Sequence, residues 1–329
     1  MTTAPDTARP AWLLTGGAGY IGAHILRAFA DRGMRVVVLD DLSAGIRDNV
    51  PGDVPFVQAR FQDSDAVRDT IREHGVTGVL HLAAQKAVGE SVEKPMLYWR
   101  ENVSGMVTLL EVCRAEGVDR YLFSSSAAVF GNPPVTYVTE ETPTAPMSPY
   151  GETKLVGEWL LRDLAAAHDD VRWSALRYFN VAGAGEPELA DRSVANLVPL
   201  TFQALSAGRN PQLFGDDYDT RDGSCIRDYI HVVDLADAHA AAAARLDDGP
   251  LGEVYNVGRG EGVTVKEVFE TVREVTGIDF TVDVVGRRAG DPAAYYADAT
   301  KIGEQLGWTA RLDLRDMVTS AWDGWQKTH

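Results

Sequence analysis

The stretch Thr15-Gly16-Gly17-Ala18-Gly19-Tyr20-Ile21-Gly22 decides the fold. It follows a short apolar run, Trp12 to Leu14, and opens a helical pattern from Ile21 to Arg32. Its spacing is G-x-x-G-x-x-G. Glycine permits positive φ in a tight turn and lets backbone N–H groups approach a pyrophosphate closely. The N-terminus of the following helix adds a field that favours that anion. Gly16, Gly19 and Gly22 are therefore candidate cofactor-binding positions. A lone glycine pattern can be no more than a flexible turn. Here a strand precedes it, a helix follows it, and Asp40 ends the next apolar run, Arg35 to Leu39. A carboxylate there accepts from the ribose hydroxyls of a dinucleotide and repels a 2′-phosphate, so NAD is expected rather than NADP.

Working outward, short apolar runs alternate with helical stretches. Val54 to Gln58, Gly78 to Leu82, Arg120 to Ser124 and Trp173 to Arg177 read as strands. Ser64–Glu73, Leu97–Ala115 and Tyr150–Ala167 read as helices. Strands that are apolar throughout and alternate with helices predict an α/β fold, a doubly wound parallel sheet covered on both faces. After Asn180 glycine and proline become frequent. Helices over Val194–Ala207, Val265–Val275 and Leu314–Lys327 lack regular strand partners there, which predicts a smaller, irregular α+β substrate domain. His231 to Leu246 is strongly helical and is expected to return to the first domain.

The chain of 329 residues carries a net charge of −17. An acidic surface repels nucleic acid and anionic lipid, so neither is an expected partner. Two cysteines, Cys113 and Cys225, are expected as free thiols in a reducing compartment. Residues 1–10 lack an apolar signal core, and the alanine run Ala240–Ala244 is too short to span a membrane. The expected location is the cytoplasm. No metal site is expected.

Tyr150 and Lys154 lie one helical turn apart, on one face. A nearby ammonium stabilises phenolate and lowers the tyrosine pKa. Such a phenol can take the proton of an alcohol while hydride leaves the same carbon. Ser124-Ser125-Ser126 stands at a strand end, where open α/β sheets bind their ligands. Each feature alone has an ordinary structural explanation. Strand end, Tyr/Lys helix and glycine turn together favour catalysis.

With these residues in place, the chain resembles the extended short-chain dehydrogenase/reductase family. Within that family it is similar to the UDP-glucose 4-epimerase and UDP-glucuronate 4-epimerase group. The resemblance runs from Trp12 to Trp325. It rests on TGGAGYIGAH, KAVGESVEKP, SSSAAVFGNP, SPYGETK, LRYFNVAGA, DGSCIRDYIHVVDLADAH, YNVGRGEG and RRAGDPAAYYAD.

The resemblance implies a Rossmann NAD-binding domain over 11–180, with 231–256 returning to it. It implies a UDP-sugar-binding domain over 181–230 and 257–329. Tyr20, Ile21, Asp40, Asp41 and Ser43 would hold the adenosine and pyrophosphate side of NAD. Leu82, Ala83, Ala84 and Lys86 would line its phosphate and ribose, and Asn102 and Phe179 its nicotinamide end. Tyr150 would be the base at sugar O4, Ser126 would bond that oxygen, and Lys154 would bind the nicotinamide ribose and tune Tyr150. Asn180, Asn196, Leu197, Gln212, Leu213, Phe214, Arg227, Tyr229, Arg288 and Asp291 would hold the UDP moiety. Guanidinium groups suit a diphosphate. Tyr295 would crowd the sugar C2 substituent and disfavour N-acetylated sugars. The implied reaction inverts C4 through a 4-keto sugar.

Two departures and two rivals matter. Relatives usually carry an acid that meets the adenine at the place of Arg60. Arg60 can instead stack on the ring or face solvent, and Phe61 beside it stays in the cofactor set. The segment between Asn180 and Asn196 is short and contains Arg192. A cation there suits a C6 carboxylate, so the substrate reading leans to UDP-glucuronate, with UDP-glucose as the alternative. A dehydratase or decarboxylase is the nearest rival, but Ala127-Ala128 after Ser126 cannot transfer protons. A non-catalytic NAD sensor is disfavoured because Tyr150 and Lys154 are both present. Surplus apolar residues on Leu97–Ala115 and Tyr150–Ala167 suggest a homodimer.

Overall fold

The computed structural model describes residues 10–288 and 291–328. Its strands are β1 (Ala11–Thr15), β2 (Arg35–Asp40), β3 (Phe56–Gln58), β4 (Val76–His81), β5 (Arg120–Ser124), β6 (Tyr137–Val138), β7 (Arg172–Tyr178), β8 (Asn180–Ala182), β9 (Gln212–Phe214), β10 (Ile226–His231), β11 (Gly252–Val257), β12 (Gly262–Thr264), β13 (Asp283–Val285) and β14 (Ala294–Ala297). Its helices are α1 (Tyr20–Asp31), α2 (Ser64–His74), α3 (Val88–Glu93), α4 (Pro95–Tyr98), α5 (Gly105–Ala115), α6 (Pro149–Ala167), α7 (Leu197–Ser206), α8 (Val232–Asp248), α9 (Val265–Thr276), α10 (Thr300–Leu306) and α11 (Leu314–Thr328).

Seven strands form one parallel sheet in the order β11-β7-β5-β4-β1-β2-β3. Successive side chains point to opposite faces, and both faces are apolar. Trp12, Leu14, Val38, Leu80, Leu122 and Leu176 join the core on the side of α1 and α8. Leu13, Val37, Leu39, Val79, Tyr121, Phe123 and Ala175 join the opposite core, with α5 and residues of α2 and α6. Small side chains at Ala238, Ala240, Ala242 and Ala243 in α8 are fully buried, which lets α8 lie close to its neighbours. The order runs outward from β1 in both directions, so the strand order reverses between β1 and β4. Thr15 and His81 pair across that point, and the crevice beyond them is where such sheets bind ligands.

The expected helix over Leu97–Ala115 is interrupted. A π-helical stretch, Trp99–Ser104, separates α4 from α5. The second half is also more regular than its sequence suggests. β12, β10, β14 and β6 form a sheet, with β8 paired to β10, and β9 pairs with β13. These strands are only two to six residues long, too short for most of them to show a period. Their core gathers Val198, Phe202, Leu213, Tyr229, Val268, Phe269, Met317, Val318 and Trp325. Among the described residues, no helix is long and apolar enough to cross a membrane.

Three buried histidines are held neutral. Burial lowers His24 and His239 to about 4 and His81 to about 3. His81 Nδ1 bonds the Thr15 hydroxyl at 2.8 Å, fastening the ends of β1 and β4. A folded pKa below the unfolded value means that the unfolded chain takes up protons first. The stabilisation is complete above about pH 6.5 and is lost as pH falls toward those lowered values. The imidazole resonances of all three should therefore keep their neutral positions down to about pH 5. An NMR titration midpoint near 6.5 at any of them would contradict this.

Candidate active site

The glycine turn sits on the crevice. Gly16 has φ +75°, and a Cβ there would lie 2.9 Å from the Ala83 nitrogen. A Cβ on Gly22 would meet the Gly16 carbonyl oxygen at 2.5 Å and the Gly17 Cα at 2.6 Å. Gly19 caps α1 with no side chain, and no acid stands in the helix's first turn. The first N–H groups of Tyr20–Gly22 are thus left for an anion. The Asp40 carboxylate accepts from Ala18 N at 3.0 Å and Leu42 N at 2.8 Å, so it shapes the turn from beneath. Burial raises its pKa against the pull of those two donors. Asp41 accepts from Ser43 N, and both are exposed.

The remaining cofactor candidates line the same end of the sheet. Leu82 N donates to the Thr15 carbonyl, and Ala83 and Ala84 continue along the crevice, half-buried. Asn102 is buried in the π-helical stretch. Its amide bonds both Gln85 backbone groups and the Thr153 hydroxyl, tying the loop after β4 to α6. Phe61 is buried edge-on to His81. Arg60 is exposed and ion-paired with Glu101. Lys86 Nζ lies 3.4 Å from the Ser193 hydroxyl.

Ser148 caps α6 through Gly151 N, and Pro149 takes its first position. Tyr150 is thereby set in the first turn, buried, with its phenol bonded to Ser126. Lys154 is buried one turn on and donates from Nζ to the Ser124 carbonyl at 2.6 Å. The ammonium sits 4.9 Å from the Phe123 ring centroid and 5.9 Å from that of Tyr150. Burial lowers Lys154 to about 7 and raises Tyr150, while the Ser126 hydrogen bond pulls Tyr150 down. Ser126 thus bonds the phenol directly, while the Lys154 ammonium is held on the Ser124 carbonyl beside it.

Sequence reasoning missed two residues here. Tyr178 ends β7, bonds the Ser124 hydroxyl and lies near enough to Tyr150 to feel its charge. The strand-end rule applied to LRYFN could have found it. Asp228 is buried and accepts from Arg259 N at 2.9 Å and from Gly260 N and Ala297 N at 3.1 Å. Burial pushes it up to about 6, against the pull of those three donors. No pattern in the sequence signals that role.

Around Asp228 the substrate candidates divide. Arg227 and Tyr295 face each other across β10 and β14, with the guanidinium 5.5 Å from the ring centroid and 3.6 Å from the Asp291 carboxylate. Phe179 packs 5.6 Å from Tyr295, and Asn180 Nδ2 bonds the Asp228 carbonyl. Arg288 stacks on Phe214 at 3.8 Å. Gln212 is exposed beside it, and Leu197 is half-buried at the start of α7. Leu213 and Tyr229 turn their side chains into the second core, leaving only backbone for a ligand. Asn196 caps α7 by position, and its amide is spent on Asp191. Arg192 is exposed and donates to the Glu188 carbonyl of its own loop, so the expected cation at the sugar is not found there.

Residues 12–258 match the model of the NAD dependent epimerase/dehydratase family. The chain belongs to this family. It is 44% identical to a UDP-glucose 4-epimerase of Azospirillum brasilense, over 99% of this chain and 94% of the relative. It superposes with a TM-score of 0.93 on a UDP-glucose-4-epimerase from Stenotrophomonas maltophila with bound NAD and formylated UDP-arabinopyranose. That pair is 40% identical over 97% of this chain and 98% of the other. A UDP-glucose 4-epimerase from Brucella ovis in complex with NAD gives 0.91 at 38% identity, over 95% and 97%. NAD is thus the cofactor, and the uncapped helix with its two close-approach glycines fits a pyrophosphate.

Gly22→Ala tests that fit. The added methyl meets backbone on two sides, which costs about 1–3 kcal/mol of strain. The variant should lose most of the NAD retained through purification, measured after denaturing release. Retention at the wild-type level would show that the close approach is not needed.

Proposed function

We propose that this enzyme interconverts UDP-glucose and UDP-galactose by inverting C4 of the hexose. The observation that carries the reading is the buried set Tyr150, Ser126 and Lys154, placed beside the glycine turn at the reversal of strand order. The relatives named above, all UDP-glucose 4-epimerases, support the substrate.

Tyr150 takes the proton from O4, and Ser126 donates to the same oxygen and holds the phenol in line. Bound NAD would supply the hydride acceptor at C4 and, once reduced, the donor to the opposite face of the keto sugar. Lys154 keeps its bond to the Ser124 carbonyl and adds positive charge near the phenol, and its two further N–H donors would hold a ribose hydroxyl of the cofactor. Arg227, near the start of β10, and Arg288, in the loop after β13, suit the two phosphates. Phe179 and Tyr295 wall the sugar, and Tyr295 limits bulk at C2. Gly16, Gly19, Tyr20, Ile21 and Gly22 offer backbone to the pyrophosphate. We assign NAD to 11–180 with 231–256, and the sugar nucleotide to 181–230 and 257–329.

UDP-glucose is preferred to UDP-glucuronate because Arg192, the one residue that favoured a carboxylate, is tied to its own loop. Elimination chemistry is disfavoured because Ala127 and Ala128 offer no proton donor. Two free thiols, Cys113 and Cys225, suit a cytoplasmic setting.

Purified enzyme should convert UDP-galactose to UDP-glucose. Tyr150→Phe should lower kcat roughly 100- to 10,000-fold, and Arg192→Ala should leave the rate unchanged. No product from either UDP-hexose would defeat the reading. A large loss in Arg192→Ala, confined to UDP-glucuronate turnover, would restore the uronate.

We further propose a homodimer, built on the exposed apolar Val107 of α5 and Trp159 of α6. Light scattering should give twice the chain mass, and Trp159→Glu should give the monomer. A monomeric wild type would contradict it.

A further inference from the structure

Behind the reactive residues lies a second buried polar cluster that the reaction above does not use. Glu158 sits on α6, one turn past Lys154, and Arg177 sits on β7, next to Tyr178. The pair is bidentate: Arg177 Nε donates to Glu158 Oε1 at 2.9 Å and Nη2 to Oε2 at 2.7 Å. Arg177 Nη1 donates to the Glu140 carbonyl at 3.2 Å, and its guanidinium covers the Phe130 ring at 5.1 Å. Side-chain exposure is only 7% for Arg177 and 4% for Glu158. The remaining capacity of Glu158 Oε1 is taken by the Ser125 hydroxyl, at 2.5 Å.

Ser125 is the middle residue of the serine triplet. On one side Ser124 gives its carbonyl to Lys154 and its hydroxyl to Tyr178. On the other side Ser126 bonds the Tyr150 phenol. The cluster therefore joins the end of β5, the end of β7 and the middle of α6, the three segments that carry the reactive groups. A fully buried ion pair is a poor way to gain stability, since well-packed apolar side chains usually do as well. Its directed geometry does something that apolar packing cannot: it fixes rotation about the Ser125 backbone.

We propose that Glu158 and Arg177, acting through Ser125, are positioning residues for the reaction. They set the Ser124 carbonyl against Lys154 and the Ser126 hydroxyl against Tyr150. The proposal rests on Tyr150 being the base. Other groups face the phenol as well: Tyr178 from β7, Tyr98 from α4 and Lys154 from α6 itself. None of them touches Ser125 among the bonds described.

The test uses the NAD-loaded full chain with Ser125→Ala, which removes the link and keeps the ion pair, and Glu158→Gln, which keeps the shape and removes the charge. Tyrosine labelled at Cζ reports the ionisation of Tyr150 by NMR, with Tyr150→Phe assigning the signal. In Ser125→Ala the Tyr150 midpoint should rise by about half a pH unit or more, because the Ser126 hydroxyl drifts from the phenol. Its kcat should fall roughly tenfold to a hundredfold with KM nearly unchanged. Glu158→Gln should move both readouts the same way. If Glu158→Gln does not fold, Ser125→Ala decides alone. A wild-type midpoint and wild-type kcat in Ser125→Ala overturn the proposal and leave the cluster a structural one. A shifted midpoint in a protein that turns over no UDP-hexose would keep the positioning role and defeat the substrate reading instead.

Discussion

Everything at this site depends on one hydrogen bond, from the buried Lys154 ammonium to the Ser124 carbonyl. A cation without water needs a partner, and in this crevice the strand end of β5 supplies it. The bond pins the first turns of α6 against the sheet. Tyr150, one turn earlier, is then held over Ser126, and Thr153 is held against Asn102. The burial that makes this bond valuable also brings Lys154 down to about 7. The same burial raises the phenol, which leaves Ser126 as the group that offsets the cost.

The glycine turn solves a different problem. Its task is to keep side chains away from a place where backbone must meet a ligand. Gly16 and Gly22 clear space at distances no Cβ tolerates, and Gly19 leaves the helix without a side-chain cap. The acid that the turn needs is kept out of the helix's first turn and set beneath it, where Asp40 binds Ala18 and Leu42 through their N–H groups. In an otherwise acidic chain, this arrangement keeps carboxylates from occupying the anion's place.

How much of this could be read beforehand follows from element length. Strands with apolar runs on both faces, such as Arg120–Ser124, and long helices, such as Pro149–Ala167, carry their pattern in sequence. So do glycines at fixed spacing and a Tyr/Lys pair one turn apart. The second sheet was not legible, because three-residue strands such as Gln212–Phe214 have no period. Side-chain direction was not legible either. Arg192 has the right charge at the right chain distance, yet it turns back onto the Glu188 carbonyl. Asp228 looks like any acid in DGSCIRDYIHVVDLADAH, yet it is buried under three N–H donors. The bond from the Lys154 ammonium to the Ser124 carbonyl is likewise visible only in the fold.

In the proposed reaction Tyr150 is the base for the O4 proton, and the carbon–hydrogen bond at C4 is cleaved as hydride held within the enzyme. Epimerisation of UDP-galactose in deuterium oxide tests this most directly, with NMR of the UDP-glucose formed. The product should retain protium at C4, because only the hydroxyl proton passes through Tyr150 to solvent. Deuterium at C4 would mean that the carbon proton itself exchanges with water, and would contradict it.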